Sequence, residues 1–377
     1  MAGLYIHIPF CRRQCYYCDF HFTVSLKYKD RMLRALEKEL SQRKDELDGQ
    51  EFQTVYIGGG TPSILSIHEL EGIVSALYRT FRIHASAEFT LEANPDDLDK
   101  VYTESLKKYT PVNRLSIGVQ SFIDRDLKFM NRLHTSNEAL VSIENSISAG
   151  FKNINIDLIY GIPALSIKEW KKNLAIFKHL GIPHLSAYHL TIEPHTVFAY
   201  FRKKGQIKEL PEEESIRQFK TLIEFAGEEG FEHYEISNFA RPGYHSKHNM
   251  GYWTGIPYLG IGPSAHSFDG SKRRWNVANN TTYMHSIENG TNAYYGSEWI
   301  DTSKAYNEYV MTALRTMWGI DLDHIGKHFG KQQRDRLLLE AGTFIRSGIL
   351  MHSRENLCLS NEGKMIADYV ISALLAI

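Results

Sequence analysis

Short runs of aliphatic and β-branched residues recur through the first half of the chain. They are Leu4-Tyr5-Ile6-His7-Ile8, Thr54-Val55-Tyr56-Ile57, Ala87-Glu88-Phe89-Thr90-Leu91, Arg114-Leu115-Ser116-Ile117-Gly118-Val119, Asn155-Ile156-Asp157-Leu158-Ile159 and Leu185-Ser186-Ala187-Tyr188-His189-Leu190. Each has the length and composition of a strand. The segments between them carry helical periodicity. The clearest covers about Tyr28 to Leu47, where Leu33, Leu36, Leu40 and Leu47 recur at helical spacing. Others cover roughly Ser66–Phe81, Asp97–Tyr109, Ser136–Ala149 and Ile167–Leu180. Strands alternating with helices of this length predict an α/β fold with a parallel sheet covered by helices. A partial (β/α)6 barrel and a flat doubly wound sheet both satisfy the periodicity.

The beat changes after about Pro194. Pro211–Glu229 predicts a helix and Glu232–Ile236 a strand. Asn238–Asn280 is rich in Gly, Pro, His, Asn and aromatics and predicts a long loop-rich stretch, which in a compact domain is usually functional. From about Asp301, two helical segments precede Gly348–His352, a polar turn at Ser353–Asn356, and Leu357-Cys358-Leu359. A final helix follows. Helices and then a small hairpin predict a smaller, winged-helix-like C-terminal domain. The expected division is 1–200 for the barrel, 201–295 for its loop-rich extension and 296–377 for the C-terminal domain.

Composition narrows the function classes. The chain has 377 residues, 43% hydrophobic and 23% charged, enough for a large core. Its net charge is −1, which gives no support for nucleic-acid binding, by the wing or otherwise. No apolar run reaches the roughly 20 residues of a membrane-spanning helix. The segment Met1–Pro9 lacks the features of a secretory signal, so a cytoplasmic protein is expected.

Four cysteines are too few for a disulfide scaffold. Cys11, Cys15 and Cys18 form C-x3-C-x2-C directly after the first strand, while Cys358 stands alone. Thiolates suit zinc or iron–sulfur clusters. Zinc structural sites usually close with four ligands, so a Cys3His site would need His7 or His21. A 4Fe–4S cluster with three protein ligands leaves one iron open. Cys358 sits in an apolar alternation and reads as a packed strand residue.

A strand, then CxxxCxxC, then alternating helices and strands resembles the layout of the radical S-adenosylmethionine superfamily, over nearly the whole chain. The resemblance implies a 4Fe–4S cluster on Cys11, Cys15 and Cys18. It implies that the amino and carboxylate groups of S-adenosylmethionine chelate the open iron. One electron from the reduced cluster would then cleave the sulfonium bond.

Other residues fit that cofactor. Gly58-Gly59-Gly60-Thr61-Pro62 follows the second strand, and such a turn lets backbone groups approach a ligand. It resembles the segment, here Gly60 and Thr61, that binds the methionyl amino group. Glu92, Gln120 and Asp157 stand at or near the carboxyl ends of the third, fourth and fifth strands, which converge on one mouth. Arg132 is able to pair bidentately with a carboxylate. In the resembled family these four motif positions contact S-adenosylmethionine, and Tyr5 and Tyr17 also match contact positions. Taken singly, each has an ordinary reading as a cap, a packing residue or a solvated charge.

Tyr5–Cys11, Gly118–Phe122 and Asp157–Pro163 resemble the oxygen-independent coproporphyrinogen III oxidase group. That oxidase carries a further cysteine where this chain has Phe20, and an extension before the first strand. Both departures match the oxidase-like haem chaperones, as does an HNxxYW motif, here His248-Asn249-Met250-Gly251-Tyr252-Trp253. An imidazole is a common axial ligand to haem iron, and Tyr252 and Trp253 offer flat faces to a macrocycle. Gly251 argues against a regular helix and predicts a loop. His245 and His266 are substitute ligands in the same region. Gly260–Phe268 resembles a segment that closes over the adenosyl cofactor.

The resemblance thus implies a haem-binding chaperone that delivers haem to acceptor haemoproteins, membrane-associated respiratory ones among them, with a one-electron donor as a further partner. The alternatives are an enzyme, oxidative decarboxylation of coproporphyrinogen III to protoporphyrinogen IX or other radical chemistry on tetrapyrroles, and a structural zinc protein.

Overall fold

The computed structural model describes residues 2–353 and 355–376. Six strands lie side by side in chain order: β1 (Ala2–Ile8), β2 (Phe52–Gly59), β3 (Ile83–Ala93), β4 (Arg114–Gln120), β5 (Asn153–Tyr160) and β6 (His184–His189). Every neighbouring pair is parallel. A doubly wound sheet reverses its order at a switch point. Here the order never reverses, so the six units form a partial barrel.

The crossover helices are Lys29–Gln42, Ile67–Thr80, Lys100–Tyr109, Ser136–Ser148 and Ile167–Leu180. Capping boxes at Ser66/Glu69, Thr135/Glu138 and Ser166/Glu169 satisfy the first N–H groups of three of them. The first helix stops at Gln42, short of the predicted Leu47, because Arg43 turns inward. Its buried guanidinium bonds the Gly260 carbonyl (2.6 Å), Glu39 (2.9 Å) and the Ser267 hydroxyl (2.8 Å). A short helix, Asp124–Phe129, escapes the periodicity.

Alternation along the strands sorts the side chains. Leu4, Ile6, Ile8, Val55, Ile57, Phe89, Leu91, Leu115, Ile117, Ile154, Ile156 and Leu185 are buried in one core with the helices. Each fully buried Leu or Ile contributes about 1.5–3 kcal/mol, so this layer holds the barrel together. The intervening positions face the lumen, and they are polar. Asn155 donates to Ser116 and bonds His184, the Tyr56 hydroxyl donates to Glu92, and Thr54 bonds His248. Barrel lumens are ordinarily filled by branched apolar side chains. This one is filled by hydrogen-bonding groups.

Residues 201–299 extend both edges, so the sheet runs four residues past the expected boundary at 295. Beyond β6 lie β7 (Glu232–Glu235) and β8 (Asn238–Ala240). Beyond β1 lie β9 (Tyr258–Ile261), β10 (His266–Phe268), β11 (Lys272–Asn276) and β12 (Tyr295–Trp299), in the order β12-β11-β10-β9-β1. The stretch expected to be loop-rich is therefore built of strands of three to five residues, too short to leave a readable period. The HNxxYW segment, expected as a loop, is the helix Lys247–Trp253. Ser246 caps it by accepting from the Asn249 N–H (3.3 Å), and Gly251 costs it only about 1 kcal/mol.

A second hydrophobic cluster runs from Tyr306 to Leu374. Three helices (Thr302–Leu314, Leu322–His328 and Lys331–Arg346), rather than the predicted two, accompany β13 (Ile320–Asp321), β14 (Leu350–Ser353) and β15 (Asn356–Leu359). The strand order β13-β15-β14 makes a winged-helix arrangement. Arg354, in the predicted turn, lies outside the described residues. Cys358 is on β15, its thiol against the Met317 and Trp318 carbonyls, in a different unit from the other cysteines. No helix among the described residues is long and apolar enough to cross a membrane.

Candidate functional site

The chain leaves β1 into a loop that is pinned at its base and its tip. The Thr23 N–H donates to the Pro9 carbonyl (2.9 Å) and the Cys11 N–H to the Thr23 carbonyl (3.0 Å). The Tyr16 N–H reaches the Met130 carbonyl (3.1 Å), and the Asn131 amide reaches the Gln14 carbonyl (2.8 Å). Cys11, Cys15 and Cys18 thereby line one cavity of about 620 Å³ at the carboxyl ends of the strands. Burial pushes the Cys11 thiol up to about 12 and that of Cys18 up to about 11, so a metal must displace their protons.

The imidazoles a Cys3His zinc site would use are committed elsewhere. His7 bonds the Tyr5 hydroxyl and the His21 carbonyl, and His21 bonds Asn280. No three His, Cys, Asp or Glu side chains among the described residues converge on a single ion position. The donor set fits a three-thiolate cubane better than one zinc ion.

The glycine turn after β2 packs against this loop. Gly59 has φ 117° and lies against His7, and a Cβ on Gly60 would meet the Phe10 carbonyl at 2.7 Å and the Cys11 sulfur at 3.0 Å. Only glycine leaves this cradle open. Thr61 donates to the Cys11 sulfur (3.3 Å) and accepts from the Asn94 amide (3.1 Å). Arg132 donates to Asn94 (2.7 Å), to the Gly118 carbonyl (2.6 Å) and to the Cys15 sulfur (3.4 Å). Its buried Nε has no protein partner. A carboxylate from the cavity would satisfy it.

Glu92 and Asp157 line the same cavity. Glu92 accepts from the Tyr56 hydroxyl (2.7 Å) and the Gly59 N–H (3.0 Å). Burial, with the neighbouring Asp157 charge, still raises its carboxyl to about 7. Asp157 accepts from Asn155 (2.7 Å), and burial raises it to about 6. Gln120 ends β4 with φ 69°, an unfavourable backbone for a side-chain-bearing residue that costs about 1–3 kcal/mol. That turn directs its amide into the cavity. Open cradle, orphaned guanidinium nitrogen and paired carboxylates together fit a cationic ligand that carries its own carboxylate.

The HNxxYW helix lies at the opposite, amino end of the barrel. His248 is buried there, its Nδ1 bonded to Thr54 (2.8 Å) and its Nε2 to the Tyr252 hydroxyl (2.8 Å). Its N–H donates to Glu88 (3.1 Å), and its ring stacks on Tyr56 at 5.1 Å. Burial holds it neutral, with its pKa lowered to about 3. His248 and Tyr252 line a second, smaller cavity of about 220 Å³ with Lys247. Trp253 is half-buried, and its Nε1 has no protein partner.

Known proteins match along the whole chain. Residues 5–191 match the family model "Radical SAM superfamily" and residues 300–366 the "HemN C-terminal domain". "Heme chaperone HemW" of Bacillus subtilis is 32% identical over 377 residues, 100% of this chain and 99% of that protein. This chain belongs to the HemW family of radical SAM proteins. The Escherichia coli protein of that name is 35% identical over 272 residues, 70% of this chain and 69% of that one. The structure of E. coli coproporphyrinogen III oxidase, HemN, superposes with a TM-score of 0.86 at 23% identity, over 100% of this chain and 90% of that one. The likeness to HemN is one of fold. Membership of the radical SAM superfamily implies a 4Fe–4S cluster and S-adenosylmethionine.

In this HemW-family chain the mouth gathers Cys11, Cys15, Cys18, Tyr17, Gly60, Thr61, Glu92, Gln120, Arg132 and Asp157. Tyr5 does not line it; it lies deeper, with its ring against Tyr56 and His248. Gly260–Phe268 does not close over it either. Gly260 and Ile261 pair with β1, and the Gly262 N–H donates to Glu39 (2.8 Å). His245 pairs with Glu232 (2.8 Å) and His266 sits on β10, so neither shares a site with His248. The sequence reading missed Asn94, which lies between Thr61 and Arg132. Strand alternation from Glu92 points to it. Phe20, 76% exposed, stands at the rim.

Proposed function

We propose that this protein binds haem and passes it to acceptor haemoproteins in the cytoplasm, on a scaffold that carries a 4Fe–4S cluster and S-adenosylmethionine. The observation that carries this reading is the convergence of three thiols, a glycine cradle and Arg132 on one mouth, in a chain whose full-length relatives are named haem chaperones. Cys11, Cys15 and Cys18 hold the cluster. Gly60 and Thr61 receive the methionyl amino group, Arg132 the carboxylate, and Glu92, Gln120 and Asp157 the remaining polar groups, with Tyr17 beside the cluster. When bound, cluster and cofactor supply reductive radical chemistry, and a one-electron donor is a further partner.

His248, Tyr252 and Trp253 are the proposed haem contacts. For His248 to ligate iron, Nε2 must exchange the Tyr252 hydroxyl for the metal. Replacing His248 by Ala is expected to shift or abolish the Soret band of added haem while leaving iron–sulfur content unchanged. An unchanged spectrum removes His248 as ligand. The oxidase alternative is tested by giving the reduced, cluster-loaded protein S-adenosylmethionine and coproporphyrinogen III. The chaperone reading expects no turnover; conversion to protoporphyrinogen IX with matching 5′-deoxyadenosine overturns it.

A further inference from the structure

The cavity at the amino end is small for a macrocycle. At about 220 Å³ it falls below the roughly 300–1,000 Å³ of ordinary ligand pockets, and His248 within it is 3% exposed with both ring nitrogens bonded. A carrier also has to present its cargo where a second protein reaches it. The carboxyl end offers such a place. A groove of about 380 Å³ runs outside the cysteine loop, with Phe20, Phe22, Val24 and His195 in its lining, and it shares Cys18, Asp19, Phe20 and Phe22 with the mouth. Phe20 is 76% exposed, and Val24, Leu26 and Tyr28 after it are exposed too. Contiguous apolar side chains left in water mark a binding surface. Both walls are held in place. The wall from Phe20 to Val24 is tied down at Thr23, which bridges to Phe10. His195 sits in a turn closed by the Thr196 hydroxyl, which donates to the Glu193 carbonyl (2.7 Å). The helix Val197–Lys203 follows, and its Phe198 N–H donates to the Tyr16 carbonyl (3.0 Å) of the cysteine loop. The Tyr16 ring stands edge-on to Phe198 and Phe201.

His195 is exposed, and among the described residues its imidazole makes no hydrogen bond and no ion pair. Arg13, exposed on the cysteine loop and lining the mouth, makes none with its guanidinium either. We propose that this rim groove is a second haem position, open to solvent, in which Phe20, Phe22 and Val24 take the face of the macrocycle, His195 ligates the iron and Arg13 receives a propionate. The inference rests on the reading of this protein as a haem carrier, and not on His248 as a ligand. Each part of haem meets a group suited to it. The flat apolar ring is offered phenyl faces. The iron is offered an imidazole with no partner to give up, whereas His248 must first release the Tyr252 hydroxyl. The propionate is offered a guanidinium with its donors free. The acids of the rim, Asp19 and Glu193, repel propionates and favour the orientation that turns them toward Arg13. A purely apolar ligand would leave His195 and Arg13 idle, and a small anion would leave the phenyl rings in water. From this position haem passes to an acceptor without any opening of the barrel.

The test uses the full chain, purified anaerobically with its cluster. Haem and iron-free protoporphyrin IX are titrated into wild type, His195→Ala, Phe20→Ala and Arg13→Gln, and the visible spectra are followed. His195→Ala is expected to shift the Soret band and to weaken haem about tenfold while leaving iron-free protoporphyrin unchanged, because only the iron loses a partner. Phe20→Ala should weaken both ligands by about fivefold, since the ring contact is common to both. Arg13→Gln should weaken haem but not its dimethyl ester, which has no free carboxylate. His195 and Phe20 are exposed, so both variants should fold. Iron and sulfide analysis should show the wild-type cluster in each. The Soret band that persists in His248→Ala should vanish when His195→Ala is added. Haem spectra and affinities equal to wild type in both His195→Ala and Phe20→Ala overturn the rim position, while the haem reading stands on the wild-type binding. A loss in His195→Ala that is equal for haem and for iron-free protoporphyrin overturns the ligand role. A wild type that binds no haem overturns the carrier reading and the rim position together.

Discussion

At the carboxyl end of the barrel, polar groups are strained or incomplete. Gln120 holds a left-handed backbone, Arg132 Nε lacks a partner, and Glu92 and Asp157 are carboxyls that burial has made reluctant to ionise. At the amino end, His248 has both ring nitrogens and its backbone N–H bonded, and aromatic rings lie against it. The mouth is built to be completed by a ligand, while His248 at the floor is completed by the protein. The two ends also respond oppositely to pH. A carboxyl raised in the folded state loses stabilisation as pH rises through its folded value. A histidine lowered in the folded state loses it as pH falls below its ordinary value. Alkali therefore strains the mouth, and acid the floor.

The largest expected effect breaks the mouth outright. Replacing Cys11, Cys15 or Cys18 by Ser should remove most of the iron and sulfide, read by metal and sulfide analysis. Cys358→Ser should remove neither, since Cys358 packs against the carbonyls of Met317 and Trp318. Loss of the cluster in Cys358→Ser would mean that no iron is left open.

The pH asymmetry comes next. Glu92 rises from 4.5 to about 7 on folding, chiefly by burial, so its charge costs the ligand-free fold increasingly between those values. The stability of Glu92→Gln relative to wild type should therefore grow by about 3 kcal/mol at most between mildly acid and mildly alkaline pH. Paired denaturant titrations without cofactor read this. A flat difference would show that Glu92 is not desolvated. For the floor the sign reverses: His248, lowered to about 3, should cost wild type about 2 kcal/mol by about pH 5, a loss absent from a His248→Phe variant that folds.

Arg132→Ala ranks third. It removes a donor that is bonded to Asn94 and Cys15 and still has a buried nitrogen without a protein partner, and should weaken S-adenosylmethionine by about 30-fold, about 2 kcal/mol. Cluster content should persist, because the thiols remain. Calorimetry and iron analysis on one sample separate the two outcomes.

Much of this comparison was legible in the sequence, but unevenly. The six strands and their helices are strongly periodic, and the mouth residues follow from their places at strand ends. The helix Lys247–Trp253 was not legible, because seven residues with a central glycine carry no period of their own. Its position came from capping by Ser246 and the contacts of His248 with Thr54, which are tertiary. The burial of Arg114, 1% exposed inside the barrel, was invisible for a different reason. At the start of a strand it reads as a surface charge, and only the register with Thr90 and Asn153 turns it inward.

The smallest expected effect sharpens the floor. Tyr252→Phe keeps the aromatic face and removes one hydrogen bond, that to His248 Nε2. His248 keeps Thr54 on Nδ1, so the variant should fold and lose only about 1 kcal/mol in denaturant titration. Its effect on haem has a definite sign. If His248 ligates iron through Nε2, the Tyr252 hydroxyl competes with the metal, and removing it should hold or tighten haem binding with an unchanged Soret position. If Tyr252 itself contacts haem through its hydroxyl, affinity should fall. If the floor is purely structural, haem spectra of Tyr252→Phe and His248→Ala should both match wild type, and the haem site must then be sought at the mouth, beside Phe20.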